Sequence, residues 1–218
     1  MIKSIGFPLI LFLIGLIFAG VYSLLTSHLF IQNRVLHSPL GSPPPFSISD
    51  APSQSIRGSM QIVSGIVSWE SRTATIPAAL TSPVTLEQGE SVLTDMTGRA
   101  VTSFPKVGTI ILSPQTEVDF IQSLPTSFLT YQPTGTAKYS KDGSGPLSVR
   151  SMSFLISVDS GDVSVTADQD LGRISIVTAG SGQATVAYNS LDNVSQIVTV
   201  PQSSTFVFDD AARDYVSE

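Results

Sequence analysis

Met152-Ser153-Phe154-Leu155-Ile156-Ser157-Val158 decides the fold class: its even positions are all apolar and its odd positions mostly polar. A period of two belongs to a strand with one buried and one wet face, because successive side chains on a pleated backbone point to opposite sides. Working outward, the same alternation recurs in Asp162-Val163-Ser164-Val165-Thr166-Ala167, Arg173-Ile174-Ser175-Ile176 and Gln183-Ala184-Thr185-Val186. Glu117-Val118-Asp119-Phe120 and Thr205-Phe206-Val207-Phe208-Asp209 follow it too. Turn residues separate these runs: Gln88-Gly89, Thr97-Gly98, Lys141-Asp142-Gly143-Ser144-Gly145, Ser160-Gly161-Asp162 and Asp192-Asn193. Residues 57–218 contain no amphipathic helical pattern. The expected architecture is all-β, a roll or sandwich of many short, mostly antiparallel strands with stacked hairpins.

A weak internal repeat supports the hairpin picture. Ser160-Gly161-Asp162-Val163-Ser164-Val165 returns as Ser181-Gly182-Gln183-Ala184-Thr185-Val186, and Ser64-Gly65-Ile66-Val67-Ser68-Trp69 is an earlier, more distant copy. A strand–turn–strand unit repeated in this way suggests stacked hairpins, though two clear copies do not make a solenoid.

The N-terminal end is different in kind. Ile5 to Leu25 holds no charged residue, and most of it is Leu, Ile, Phe or Val. As a helix it would be about 31 Å long, the thickness of a hydrocarbon core. Its aliphatic and Phe content is worth roughly −4 to −8 kcal/mol on the insertion scale, before discounts for Gly, Pro and Ser. We therefore expect one transmembrane α-helix over residues 5–25, which can extend beyond the bilayer to residue 36, after a short cytoplasmic end at residues 1–4. Lys3 precedes the helix and the next cation is Arg34, so the positive-inside rule puts the N-terminus in the cytoplasm and the remainder outside. Tyr22 falls near the outer interface. Residues 38–56 form a Pro/Ser-rich linker, including Pro43-Pro44-Pro45, whose polyproline geometry makes a semi-rigid stalk. An extracytoplasmic β domain over residues 57–218 completes the expected organisation.

Two rival readings of the anchor exist. A cleaved signal peptide would have a shorter apolar run and a small-residue site, of which Val21-Tyr22-Ser23 is a poor version. Lys3-Ser4-Ile5-Gly6-Phe7-Pro8-Leu9-Ile10 resembles the start of type IV pilins and pseudopilins. The glutamate of that family would fall at Leu11, which is apolar here.

Composition narrows the function. All 17 acidic residues stand at Asp50 or later, so the part after residue 45 carries nine basic against 17 acidic groups, formally −8. A surface of that sign repels phosphate backbones, and no nucleic-acid partner is expected. With no cysteine there is no disulfide, thiolate metal site or cysteine nucleophile. His28 and His37 both precede the β domain, which removes the usual serine–histidine catalytic arrangement from it.

Carboxylates cluster at Asp168/Asp170, Asp209/Asp210/Asp214 and Glu87/Glu90. Paired carboxylates can hydrolyse glycosides or bind calcium, but the spacing matches no calcium loop, and solvated turn acids are the plainer reading. Gly143-Ser144-Gly145 reads as a hairpin loop rather than a phosphate cradle. Trp69, Tyr131, Tyr139 and Phe104 are the aromatics able to line a binding surface, but each is also an ordinary core or strand residue, and core is the expected reading. Asn193-Val194-Ser195 matches a glycosylation sequon within a turn. No catalytic, cofactor-binding or metal-binding residue is assigned, and no cofactor is expected.

The stretch from Ser64 to Phe120 resembles the FecR-type domain, the extracytoplasmic module of iron-dicitrate sensor regulators and of many envelope proteins. Its segments are Gly65-Ile66-Val67, Leu86-Glu87-Gln88-Gly89, Thr94-Asp95-Met96-Thr97-Gly98-Arg99-Ala100, Gly108-Thr109-Ile110-Ile111-Leu112 and Ser113-Pro114-Gln115-Thr116-Glu117-Val118. Val158 to Val163 and Ser181 to Val186 resemble later segments of the same family. Lys106-Val107-Gly108 departs from its usual acidic-Gly-Ser turn. The resemblance implies a membrane-anchored, non-enzymatic binding, sensor or scaffold module of the cell envelope, partnered by an envelope protein or polymer and held to the lipid bilayer through residues 5–25. Only Met1 to Ser4 precede the expected helix, so no cytoplasmic anti-sigma segment is expected. A pilin-like or other structural filament subunit is the alternative, and a carbohydrate-active enzyme the third reading.

Overall fold

The computed structural model describes residues 51, 54–168, 170 and 172–215; the expected membrane helix and most of the linker lie outside them. Every regular element among the described residues is a strand. In chain order they are β1 (Gly58–Ser64), β2 (Val67–Glu70), β3 (Ala78–Ala79), β4 (Val84–Leu86), β5 (Ser91–Thr94), β6 (Arg99–Phe104), β7 (Gly108–Leu112) and β8 (Glu117–Leu124). Then come β9 (Ser127–Lys141), β10 (Ser148–Ser151), β11 (Phe154–Asp168), β12 (Arg173–Asn189), β13 (Ser195–Val200), β14 (Thr205–Asp209) and β15 (Asp214–Tyr215).

All are joined by hydrogen bonds into one continuous sheet that folds over on itself. The first layer runs β3-β2-β5-β8, the first half of β9, β10, the first half of β11, the second half of β12, then β13. The second runs β4-β1-β6-β7, the second half of β9, the second half of β11, the first half of β12, then β14 and β15. Three long strands thus belong to both layers. Pairing is antiparallel throughout except between β9 and β10, which are parallel.

Rings from opposite layers meet in the core. Phe104 of β6 lies 5.0 Å from Phe120 of β8 and 4.7 Å from Phe128 of β9, centroid to centroid. Phe208 of β14 lies 5.0 Å from Phe154 and 4.8 Å from Tyr188. Such tilted and edge-on pairs suit the quadrupole of the rings. The expected all-β class holds, in the form of two layers that share strands.

The turn expected at Ser160-Gly161-Asp162 is not one. β11 passes straight through it, with register shifts against β12 on either side of Ser160 and with Gly161 at φ 62°. Phe154, Ile156 and Val158 face the core before the shift, and Val163, Val165 and Ala167 after it. An odd spacing between buried residues requires such a bulge, because a flat strand would turn one of the two sets outward. The second repeat copy does the same in β12, where Gln183 pairs with Ser160. In the distant copy, Gly65 at φ 62° sits where the chain leaves β1 in one layer for β2 in the other. The Ser-Gly repeat therefore marks layer switches, and stacked hairpins are not what it builds. Nor is Lys141 to Gly145 a hairpin loop: it carries the chain across to β10, with the Gly145 N–H donating to Lys106 O at 2.7 Å.

One polar cluster sits at the bend of β9. Gln132, fully buried, donates through Nε2 to Gly135 O at 2.9 Å and Val165 O at 3.0 Å, and its Oε1 accepts from the Tyr139 hydroxyl at 2.9 Å. Its backbone carbonyl accepts from Ser151 Oγ at 2.8 Å. Both N–H bonds of the amide are used and its oxygen accepts one, so neither polar atom of the buried side chain is left unpaired.

Candidate functional site

The residues that carry the FecR resemblance interlock two turns. Asp95 Oδ1 accepts from the Thr97 N–H at 2.9 Å and the Ile66 N–H at 3.3 Å, while the Asp95 N–H donates to Ile66 O at 3.1 Å. The Asp95 carbonyl accepts from the Gly98 and Gln115 N–H groups. A Cβ on Gly98 would stand 2.3 Å from Ile66 O, and one on Gly65 2.4 Å from the Thr97 backbone. These motif residues hold the β1–β2 and β5–β6 turns together. The backbone N–H of Thr97 holds the Asp95 carboxyl below its ordinary range.

Three of the seven carboxylates singled out from sequence, Asp209, Asp210 and Glu90, accept from backbone N–H groups in turns and loops. Asp209 Oδ1 accepts from the Ala211 and Ala212 N–H groups at 2.9 and 3.0 Å. Asp210 Oδ1 accepts from the Ser153 N–H at 3.1 Å and from the Ser153 hydroxyl. Glu87 turns outward to Arg57 at 2.9 Å, whereas Glu90 is buried, so the two do not form a pair. Burial raises the Glu90 carboxyl above its ordinary range, against the opposing effect of hydrogen bonds from the Glu87 N–H at 2.8 Å and Trp69 Nε1 at 3.2 Å. Asp168 and Asp170 border a shallow groove of about 390 Å³ with Gln115, Thr134 and Thr136. Among the described residues no group of three His, Asp or Glu is placed to hold a metal ion.

Of the four aromatics, Phe104 and Tyr139 are core, and burial raises the Tyr139 phenol. Trp69 is half-buried over Glu90. Tyr131 corrects the core reading: it lies half-buried on the outer face of the first layer, with the Arg150 guanidinium 5.9 Å from its ring centre.

That outer face carries a continuous row of half-buried and exposed side chains. Cross-strand register sets Glu70, Ser91, Asp119, Tyr131, Arg150, Leu155, Ala187 and Ile197 in one row, each directly opposite the next. Directly opposed residues share a face, so the row is a ribbon roughly 34 Å long at 4.8 Å per strand. One end is acidic, where Glu117 beside the row is raised by burial and by the neighbouring Asp119 and Glu70 charges. Its middle is the Tyr131–Arg150 stack. The other end is apolar and open, with Leu155 42% and Ile197 74% exposed. A parallel row of Ser148, Ser157, Thr185 and Thr199 lies two residues along, presenting hydroxyls. Sequence reasoning missed this ribbon. Alternation marks which residues face outward, but only register says which of them are neighbours.

No family model matches the chain, and no curated protein does. Two crystal structures of a "putative anti-sigma factor" from Parabacteroides distasonis ATCC 8503, at 2.50 and 1.65 Å resolution, are similar at TM-scores of 0.47 and 0.46 with 13% and 14% identity. Each alignment covers 58% of this chain, which spans 57% of the length of the structures it matches.

Proposed function

We propose that this chain is a single-pass, membrane-anchored, FecR-like module outside the cytoplasm, acting by surface recognition of an envelope protein or polymer and not by catalysis. The observation that carries the reading is the graded ribbon from Glu70 to Ile197, which offers charge, a cation–aromatic stack and an apolar end on rigid strands. An array of that kind suits binding, since large partners are held by aromatic and arginine anchors ringed by polar contacts. The engagement of Asp209, Asp210 and Asp95 as turn acceptors supports the non-catalytic half. The apolar run of residues 5–25 and the proline-rich stalk support the anchor.

The test is a photo-cross-linker at Tyr131 or Leu155 of the full chain in its native membrane, followed by isolation of the adduct. The reading expects a discrete envelope partner, lost on Arg150→Glu; no adduct at either position would overturn it. N-terminal sequencing of the membrane form separates the alternatives. An intact Met1 supports the retained anchor, whereas a mature end at Phe7 supports a pilin-like subunit. Unchanged polysaccharide turnover on Asp168→Ala and Asp170→Ala is expected.

A further inference from the structure

The edges of the two layers are unequal. β3, β4 and β15 are two or three residues long, which is how natural sheets keep their edges from pairing with other chains. β13 is six residues long and, among the described residues, pairs only with β12. It carries none of the usual protective devices: no charged residue or proline occurs from Ser195 to Val200, and no charge from Val194 to Ser204. Its Ser-Gln-Ile-Val-Thr-Val sequence is rich in β-branched residues, and Ile197 stands 74% exposed.

The direction of its free backbone groups follows from the adjoining turn. The Ser190 N–H donates to Val194 O at 3.0 Å, and Asn189 is opposite Ser195. Antiparallel bonding alternates, so Val194, Gln196, Val198 and Val200 bond toward β12, while Ser195, Ile197 and Thr199 aim their N–H and C=O groups away from the sheet.

We propose that β13 pairs antiparallel with β13 of a second copy of this chain, about a two-fold axis through Ile197. Three observations select this occupant and register. With the axis at Ile197, each outward-bonding residue meets another: Ile197 its own copy, and Ser195 the Thr199 of the other chain. A shift of two residues toward the C-terminus would set Ser195 against Pro201, which has no N–H to give. Side chains agree as well, because Ile197 meets Ile197 on the outer face and a Ser–Thr hydroxyl pair flanks it on each side. The apolar row Leu155–Ala187–Ile197 then continues across the axis into its own copy. Finally, the paired segments carry no charge, so no like charges are directly opposed in the pairing; the nearest carboxylates are Asp192 in the turn before β13 and Asp159, which accepts from Thr185 one strand inward. The pairing is isologous and closes at two chains.

The chain has no native cysteine, so the test is clean. Full chain carrying Ile197→Cys, in detergent or in membranes, is oxidised mildly and run without reductant. Directly opposed Cα atoms in such a pair are about 5.5 Å apart, within disulfide reach, and a covalent dimer is expected. Ser195→Cys or Thr199→Cys alone lies roughly 13 Å from its own copy by strand rise and gives little dimer, but a mixture of the two cross-links. Met96→Cys, 76% exposed on a distant turn, serves as background. No dimer from Ile197→Cys, or as much from Met96→Cys, overturns the proposal. Equal self-cross-linking at all three β13 positions overturns the register. A negative result leaves the recognition reading untouched, since that is read by cross-linking at Tyr131 and Leu155.

Discussion

Gln132 shows how much one side chain can fix. It stands before the bend of β9 and bonds to Tyr139 and Gly135 beyond it, and to Val165 of β11. Removing it breaks three hydrogen bonds in a buried site, each worth about 0.5–1.5 kcal/mol, and leaves a cavity behind. We expect Gln132→Ala to lose about 3 kcal/mol or more of stability, read as a lower urea midpoint. Glu90 and Asp95 make opposite pH predictions. Because the Glu90 value is raised in the folded state, its contribution is full below its ordinary value of 4.5 and is lost as pH rises through the raised one. Glu90→Gln keeps an acceptor for Trp69 and the Glu87 N–H, so its melting temperature should gain on the parent between pH 4 and 8. Asp95 is lowered, so its contribution is present above its ordinary value of 3.8 and fades as pH falls through the lowered one. Asp95→Asn should therefore cost more at pH 7 than at pH 3, measured by thermal melts.

At the scale of elements, the bends of β9, β11 and β12 do most to shape the molecule. Each lets one strand serve both layers, and a glycine at positive φ marks the first two, Gly135 at 86° and Gly161 at 62°. Gly135 is also closely packed, since a Cβ there would stand 2.3 Å from Gln115 O. Gly135→Ala combines a left-handed backbone with a backbone clash, so a loss of about 2 kcal/mol or more is expected, with a broadened amide spectrum near Thr116 and Thr136. The flip in buried phase between Val158 and Val163 is legible in the sequence. Its cause is not, because Ser-Gly-Asp serves a hairpin turn and a bulge equally well. What separates them is β12, which follows β11 along both halves and leaves the chain no partner for a reversal.

For the whole molecule, sharing strands has a thermodynamic consequence. Neither layer can lose β9, β11 or β12 without taking the other apart, so the β domain should unfold in one cooperative step. Trp69, the single tryptophan, reports β2 in the first layer, whereas far-UV circular dichroism reports all strands. Their thermal transitions should coincide, and separate midpoints would show the layers to be independent.

The sequence by itself determined the all-β class, the buried phase of most strands and the positions of several turns, because period-two alternation and turn chemistry are local properties of a pleated chain. It also marked Glu87/Glu90 and Asp209/Asp210 as carboxylate clusters without telling a capped turn acid from a buried one. Tertiary structure alone decided the parallel β9–β10 pair, the sharing of strands between layers, the ribbon from Glu70 to Ile197 and the bare edge at β13. Those depend on which strands lie side by side and in what register. Pairing of that kind is fixed by burying all the apolar faces at once, and no short window of sequence contains that information.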